Sequence, residues 1–136
     1  MTNTEQVLRA MFVKLIVDDE EAMTDYYCTV YGLKVIDRIQ GDSAGNDELF
    51  REVMLSPSGK MDGGSLTMFN YVNRPKPRDQ QVILGFNTTD LEATIERIVA
   101  NGGKLVGPLR EMPEHGVKVQ FSEDPEGALA ENIEML

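Results

Sequence analysis

The order of structural elements is decided by residues 17–33, VDDEEAMTDYYCTVYGL. Asp18 or Asp19 can cap a helix here, because a carboxylate oxygen accepts the free backbone N–H groups of the first helical turn. The two glutamates that follow are favourable near a helix N-terminus. Gly32 can end the helix, since glycine readily adopts the left-handed conformation found at helix C-termini. The segment therefore predicts a helix that extends to about Tyr31.

The predicted helix has a spacing of apolar residues that suits one buried face. Ala22, Tyr26 and Val30 recur every four residues, as expected for one side of a helix. Tyr26, Tyr27 and Tyr31 could form an aromatic binding surface, but tyrosines within a helix are more often buried against a sheet. We therefore expect these tyrosines to pack against the sheet.

Strands are predicted before and after this helix. Residues 11–17 are rich in β-branched and apolar side chains, and residues 33–36 begin another strand. A polar turn with a glycine is expected at residues 41–46. A hairpin then follows, with strands at residues 48–55 and 64–71. The first half of the chain thus has the order β-α-β-β-β.

The second half repeats this order. A shift of 71 positions places Asp19 on Asp90 and Gly32 on Gly103, so a capping residue and a helix stop recur together. The segment between the halves, residues 73–79, has two prolines and no apolar periodicity, and we interpret it as a linker. The second predicted helix has one apolar face, formed by Leu91, Ile95, Ile98 and Val99.

The sequence therefore predicts one α+β domain spanning residues 1–136. It contains two tandem βαβββ modules, at about residues 8–72 and about residues 80–136, joined by the linker. Their curved mixed sheets, with flanking helices, are expected to enclose a cleft, since side-by-side sheets commonly bind ligands between them.

Composition limits the classes of function. There are 23 acidic and 13 basic residues, for a net charge of −10, which repels nucleic-acid phosphates. No apolar run approaches the roughly 20 residues that cross a bilayer, so neither nucleic acid nor membrane is an expected partner. A single cysteine, Cys28, and a polar start without a signal-peptide pattern favour a cytoplasmic location.

Two stretches resemble the vicinal-oxygen-chelate superfamily of glyoxalases, bleomycin-resistance proteins and extradiol dioxygenases. Residues 17–33 resemble the first strand-helix-strand corner of that family. Asp124-Pro125-Glu126-Gly127 followed by Glu131 resembles its closing corner. The resemblance extends from Phe12 to Leu136 and implies the duplicated fold described above.

The resemblance also implies where a metal would bind. Metal-dependent members use one ligand from the first and last strands of both modules, usually two His and two Glu or Gln. The matching first-strand positions are Phe12 and Ile83, and residues 65–69 offer no carboxylate, imidazole or amide. Only Glu131 matches, and His115 is the sole histidine. No cofactor is expected, and a divalent metal is disfavoured, although a site of His115 and Glu131 across a dimer stays an alternative.

Strand alternation indicates which side chains share a face with the lost ligand positions. The residues expected on that face are Phe12, Lys14 and Ile16, then Ile83, Gly85 and Asn87, then Leu129, Glu131 and Ile133. A buried carboxylate needs a partner, and Lys14 is the candidate partner of Glu131. Such a pair would be a structural ion pair, or Glu131 would act either as a general base or as an anchor for a ligand amine or hydroxyl.

Two further residues are candidates outside these strands. His115 lies in a proline-containing turn, and imidazole is the side chain best suited to proton transfer near neutral pH. It could therefore transfer a proton; the alternative is an exposed histidine without a role. Either Arg51 or Glu52 should point toward the cleft, and the sequence does not decide which. The candidate catalytic residues are thus Glu131 and His115, and the candidate substrate-binding residues are Phe12, Lys14, Arg51, Ile83 and Asn87.

Three functions fit these predictions. The first is a glyoxalase-like lyase or isomerase that acts on a small, mostly apolar oxygenated molecule by acid-base chemistry without the usual metal. The second is a binding protein of the bleomycin-resistance type that sequesters a ligand, and the third is a catalytically silent ligand sensor. Whether the chain is an enzyme is left open. A homodimer is expected, because members of this superfamily commonly pair.

Overall fold

The chain is described here from a computed structural model, which covers residues 7–42 and 48–136. Its helices and strands, in order, are β1 (Phe12–Ile16), α1 (Glu20–Tyr31), β2 (Lys34–Gly41), β3 (Phe50–Ser56), β4 (Ser65–Tyr71), β5 (Leu84–Asn87), α2 (Leu91–Ala100), β6 (Lys104–Met112), β7 (Val117–Glu123) and β8 (Leu129–Met135). The βαβββ order occurs twice, so the predicted α+β fold is confirmed. Of the polar turn expected at residues 41–46, residues 43–46 lie outside the described part.

Each βαβββ module forms one four-stranded mixed sheet. The strand orders are β1-β4-β3-β2 and β5-β8-β7-β6. In both sheets the first and last strands of the module pair in parallel, and the other neighbours pair antiparallel. Parallel neighbours need a crossover connection, and the helix with the two intervening strands supplies it.

The fold divides into two compact units. The first contains the chain up to Thr24 together with Leu33–Pro75, and the second contains Asp25–Gly32 together with Lys76–Leu136. Helix α1 therefore contributes its first turn to one unit and its remaining residues to the other. No local pattern in the amino-acid sequence indicates this division.

Equivalent aspartates cap the two helices. Asp19 Oδ1 accepts the backbone N–H of Ala22 at 3.0 Å, and Asp90 Oδ1 accepts that of Ala93 at 3.0 Å. Of the two candidate caps of α1, Asp19 makes this bond. Each cap satisfies one of the N–H groups that the first turn leaves without a helical partner.

The first unit has its apolar core on one side of its sheet. Val53, Leu55 and Met68 are almost completely buried there. On the same side of β4, the Asn70 side chain donates to the Asp18 carbonyl at 2.7 Å and to Glu20 Oε1 at 3.0 Å. These two hydrogen bonds fix the start of α1 to the sheet.

The tyrosines of α1 pack in the second unit, against its sheet, as predicted. Tyr27 donates to Asp124 Oδ2 at 2.7 Å, and the rings of Tyr31 and Phe86 stack with centroids 3.8 Å apart. Tyr31 also donates to Asn132 Oδ1. Tyr26, Tyr27 and Tyr31 of α1 are thus part of the core of the second unit.

The predicted apolar faces of both helices need correction. In α1, Ala22 is exposed and Met23 is buried, because the buried side runs through Met23, Tyr26, Tyr27 and Val30. In α2, Val99 is 56% exposed, and Thr94 takes a buried place instead. The Thr94 hydroxyl is satisfied by the Asp90 carbonyl at 2.8 Å, so burying it costs little.

Gly102 and Gly103 together are the predicted stop of α2. Gly102 has the left-handed φ of +90°, and Gly103 allows a close approach. A Cβ atom here would lie 2.7 Å from both Ile98 Cγ2 and Tyr26 Oη, and 3.0 Å from the Glu123 carbonyl. Only a residue without a side chain fits this space. No helix in the described residues is long and apolar enough to cross a membrane.

The buried tyrosines predict how stability changes at alkaline pH. Burial raises the pKa of Tyr26, Tyr27 and Tyr31, and the Asp124 charge contributes further to the raised pKa of Tyr26 and Tyr27. Because the folded state disfavours ionised tyrosine, this stabilisation is complete below the unfolded pKa of about 10 and is lost as the pH rises toward the folded pKa. We expect the free energy of unfolding by urea to fall steeply above about pH 10.

The matched variant for this measurement is Tyr27→Phe. It cannot ionise at this position, so its free energy of unfolding should decline less steeply above about pH 10, although it starts lower because Asp124 loses a hydrogen bond. Parallel curves for the two proteins would contradict the role assigned to Tyr27.

Candidate functional site

One side of the first sheet combines charged and aromatic side chains. The strand register places Lys14 beside Thr67 and Ile16 beside Phe69, and it places Glu52 on the other side of Phe69. Side chains at paired positions point to the same face of a sheet. We call this surface the Lys14 face; it contains Phe12, Lys14, Ile16, Phe50, Glu52, Thr67, Phe69 and Tyr71.

An ion pair lies on the Lys14 face. Lys14 Nζ is 3.1 Å from Glu52 Oε2, and the two side chains are 43% and 7% exposed, respectively. Among the described residues, no group other than Lys14 can donate a hydrogen bond to Glu52 Oε2. The proposed pairing of Lys14 with Glu131 was wrong, because Glu52 of β3, on the far side of β4 in the same sheet, is the partner instead.

Aromatic rings surround this ion pair. Phe50 and Phe69 stack with centroids 5.2 Å apart, and Tyr71 meets Phe69 edge-on at 4.8 Å. Lys14 Nζ lies 5.1 Å from the Phe69 ring centroid, and the Arg74 guanidinium lies 3.7 Å from that of Tyr71. Both distances allow cation–π attraction. The surface is therefore apolar but carries one charged pair at its middle.

Arg51 lies on the opposite side of β3 from Glu52. Its Nε atom is 3.3 Å from Glu20 Oε2, at the start of α1. The structure therefore decides the alternative that the sequence left open: Glu52, not Arg51, shares the face of Lys14. The substrate-binding role of Arg51 stays a prediction.

Two cavities of the first unit lie next to these residues. One has a volume of about 480 Å³ and is lined by Arg38, Arg51 and Glu20 among others. The other has a volume of about 560 Å³, and both Phe50 and Arg51 line it. Phe50 thus connects the aromatic cluster to an open space large enough for a small molecule.

Glu131 lies on β8, in the second sheet. Glu131 pairs with Gly85 on one side and with Phe121 on the other, and it is half-buried. No hydrogen bond or ion pair reaches its carboxylate from the described residues 7–42 and 48–136. The other predicted contact residues Phe12, Ile83 and Asn87 are exposed.

The structure does not bring His115 and Glu131 together. His115 is exposed and ends the 3-10 turn Pro113–His115. The next residue, Gly116, accepts the backbone N–H of Leu136, five positions along the chain from Glu131. Those positions span roughly 16 Å of extended chain, so a direct proton transfer between the two side chains is not supported.

Comparison with known proteins decides the family. The family model of the Glyoxalase/Bleomycin resistance protein/Dioxygenase superfamily matches residues 9–131. The chain belongs to this superfamily. No curated protein sequence matches the chain.

Solved structures of the superfamily share the fold. A glyoxalase family protein from Bacillus cereus matches with a TM-score of 0.80 and 18% identity, over 100% of this chain and 99% of that one. A glyoxalase-related enzyme from Fulvimarina pelagi matches with a TM-score of 0.67 and 23% identity, over 96% and 88%. Glyoxalase I from Zea mays matches with a TM-score of 0.76 and 18% identity, over 94% of this chain but 47% of its own. At sequence identities this low, the matches establish the shared fold and not a shared activity.

The residues of this chain do not fit the metal site that the superfamily implies. The register pairs Gly85 with Glu131 in one sheet and Lys14 with Thr67 in the other, so Thr67 is the counterpart of Glu131. A threonine hydroxyl is a poor substitute for a carboxylate ligand. Within the described ranges, no group of three or more His, Cys, Asp or Glu side chains could hold a metal ion.

Metal binding should therefore be weak and independent of Glu131. Dialysis of the purified protein against Zn²⁺, Ni²⁺, Mn²⁺ or Mg²⁺, followed by elemental analysis, should leave well under one ion per chain. Glu131→Gln should give the same values. One tightly held ion per chain, lost in Glu131→Gln, would show that Glu131 is a metal ligand.

Sequence reasoning missed three residues of the Lys14 face, Phe50, Phe69 and Tyr71, and it named Glu52 only as an alternative to Arg51. A signal was present for two of them, because Phe69 and Tyr71 are two positions apart in a strand and so share a side. Glu52 had no such signal, since the adjacent Arg51 is equally polar and only the register separates them.

Proposed function

We propose that this member of the superfamily binds a small, planar, mostly apolar oxygenated molecule at the Lys14 face, without a divalent metal as the anchor. The observation that carries the proposal is the stacked pair Phe50–Phe69 beside the Lys14–Glu52 ion pair. Aromatic rings offer flat apolar contact, and a few charged groups fix the orientation of a ligand.

The position of Phe50 supports ligand access. Phe69 is 5% exposed, whereas Phe50 is half-buried and lines the cavity of about 560 Å³. A ligand ring that enters this cavity can contact Phe50 directly. Lys14 does not line this cavity, but its Nζ lies 5.1 Å from the ring of Phe69, which stacks on Phe50. Binding and sequestration of the ligand therefore need no movement of the buried core.

The contribution of Phe50 can be measured with a planar probe that has no hydrogen-bond donor. Phe50→Leu should weaken binding of 2-methoxynaphthalene about fivefold, because an aromatic pair contributes ~1 kcal/mol beyond its buried area. The chain has no tryptophan, so the fluorescence of the probe can be followed in titrations with little protein background.

The matched control is Phe86→Leu. Phe86 is also a half-buried strand phenylalanine in a ring stack, but it packs against Tyr31 in the second unit. Its substitution should leave the affinity for the probe unchanged while the circular dichroism of both variants stays like that of the parent protein. Equal losses in both variants, or none in Phe50→Leu, would place the ligand elsewhere.

A second candidate function is a lyase or isomerase reaction in which Glu131 is the base. Its support is that this half-buried carboxylate has no partner among the described residues, so its oxygens are available to a substrate. In this second proposal Glu131 does not exchange a proton directly with His115, because the structure does not bring the two side chains together.

Turnover distinguishes this candidate from simple binding. Compounds that bind the protein should be incubated with it and followed by proton NMR. If Glu131 is the base, Glu131→Gln should lower the rate at least about 100-fold, the usual contribution of a general base. Glu96→Gln, an exposed residue of α2, is the control. Conversion that survives in Glu131→Gln would exclude Glu131 as the base, and recovery of every compound unchanged would leave sequestration as the function.

A further inference from the structure

The cavity of about 480 Å³ in the first unit is bordered by side chains that point away from the Lys14 face. Three of them can donate hydrogen bonds: Arg38 and Gln40 of β2 and Arg51 of β3. Gln40 lies directly opposite Arg51 in the strand register, and Arg38 is two positions from Gln40 on the same strand. Because paired and alternate positions share a face, the three donors lie on one side of the sheet.

The donors of this cavity are engaged to different extents. Arg38 donates from Nε and Nη2 to the carboxylate of Glu21, with a shortest distance of 2.9 Å. Arg51 approaches Glu20 with its Nε atom, at 3.3 Å. Within residues 7–42 and 48–136, no hydrogen bond joins the Arg51 Nη atoms or the Gln40 side-chain amide to another group. These two neighbouring groups therefore have N–H donors directed at open space.

The Arg51 guanidinium is nevertheless held in a defined position. Its partner Glu20 is 8% exposed, and the other oxygen of this carboxylate accepts a hydrogen bond from the Asn70 side chain at 3.0 Å. A planar guanidinium that is held at one edge presents its remaining N–H groups in a fixed direction. Such preorganisation lowers the entropic cost of binding a ligand.

The equivalent position of the second sheet shows what Arg51 adds. Arg51 pairs with Asn70 in one register, as Lys118 pairs with Glu134 in the other. Lys118 Nζ lies 3.5 Å from Glu134 Oε2, and Glu134 also accepts the N–H of Leu91 at the start of α2. The Lys118 side chain is 19% exposed, whereas that of Arg51 is 51% exposed. An enclosed lysine thus suffices beside a helix start, and Arg51 has donors beyond that role.

We propose that this cavity binds a small carboxylate monoanion, with one oxygen held by the Arg51 Nη groups and the other by the Gln40 side-chain amide. A guanidinium fork matches the geometry of a carboxylate, and hydrogen bonds between charged groups are among the stronger ones in proteins. This site lies on the opposite side of the sheet from the Lys14 face, and it is independent of the function proposed above.

The charges of the cavity select a singly charged ligand. Glu20 and Glu21 also line it, so their two negative charges balance the positive charges of Arg38 and Arg51. A doubly charged phosphate gains no net attraction there and is repelled by both carboxylates. A carboxylate monoanion is held mainly by directed hydrogen bonds from Arg51, which suffer less from this balance.

Acetate is a suitable probe because it carries the carboxylate and little else. We expect the NMR signals of the Gln40 side-chain amide, and the backbone amides of Gln40 and Arg51, to shift saturably when the ¹⁵N-labelled protein is titrated with sodium acetate. A ligand of this size should bind with a roughly millimolar dissociation constant. Sodium chloride at the same ionic strength, which lacks the two oxygens, should give no saturable shift.

Substitutions of the two donors give the size of each contribution. Arg51→Gln should weaken acetate binding at least about tenfold, because it removes the charged donors. Arg51→Lys keeps the charge but not the planar fork, so its affinity should lie between those of the parent protein and Arg51→Gln. Gln40→Leu should weaken binding about threefold. It leaves the contact of Arg51 with Glu20 in place, so it tests the site even if the Arg51 variants fold poorly.

Two control variants locate the site. Lys118→Gln removes a positive charge from the equivalent position of the second sheet, so it should leave the affinity for acetate unchanged. Phe50→Leu, which alters the Lys14 face, should also leave this affinity unchanged. Loss of 2-methoxynaphthalene binding without loss of acetate binding would therefore affect only the function proposed above.

Three results would overturn the carboxylate site. The first is a set of shifts that does not saturate or that chloride reproduces. The second is acetate binding that persists unchanged in both Arg51→Gln and Gln40→Leu, because other groups would then hold the anion. The third is phosphate that binds more tightly than acetate at pH 7 and equal ionic strength, since the cavity would then favour a more highly charged anion.

Discussion

The parallel pairing of the first and last strands of each module is the constraint on which the other features depend. It aligns Lys14 with Thr67 in one sheet and Gly85 with Glu131 in the other. Successive side chains on a strand point to opposite faces of the sheet. The register of one strand pair therefore determines which residues lie on each face. A shift by one residue would exchange the core residues Leu66 and Met68 with Thr67 and Phe69. The core and the Lys14 face are thus specified by the same backbone hydrogen bonds.

The duplicated fold could be predicted because its signals are local. Asp19 and Asp90 cap helices through bonds to residues three positions away, and Gly102, at φ +90°, ends α2. Such features follow from neighbouring residues, so they are visible in the sequence. The predicted buried faces of the helices were less accurate. Ala22 and Met23 are adjacent and both apolar, so only contact with the rest of the fold determines which of them is buried.

The candidate site depends on pairings between distant residues, which the sequence does not encode locally. Lys14 and Glu52 are 38 positions apart (52 minus 14) and meet only because β4 lies between their strands. Glu131 was the wrong partner because it was chosen by the face of its strand, whereas the actual partner comes from β3. Along β2 a bulge between Val35 and Asp37 also changes which side chains face which way, and nothing in the sequence marks it. Local patterns therefore predict the framework better than the site.

The division of α1 has a consequence for how the chain is made. Asp25–Gly32 belongs to the unit whose remaining residues begin at Lys76. During synthesis the ribosome releases Tyr27 and Tyr31 well before their partners Asp124 and Asn132 exist. The nascent first module therefore carries an aromatic helix before the apolar residues that will bury it have been made. At this stage exposed apolar surface is most prone to aggregate. The duplicated halves of this protein are separate in sequence but not independent in biogenesis.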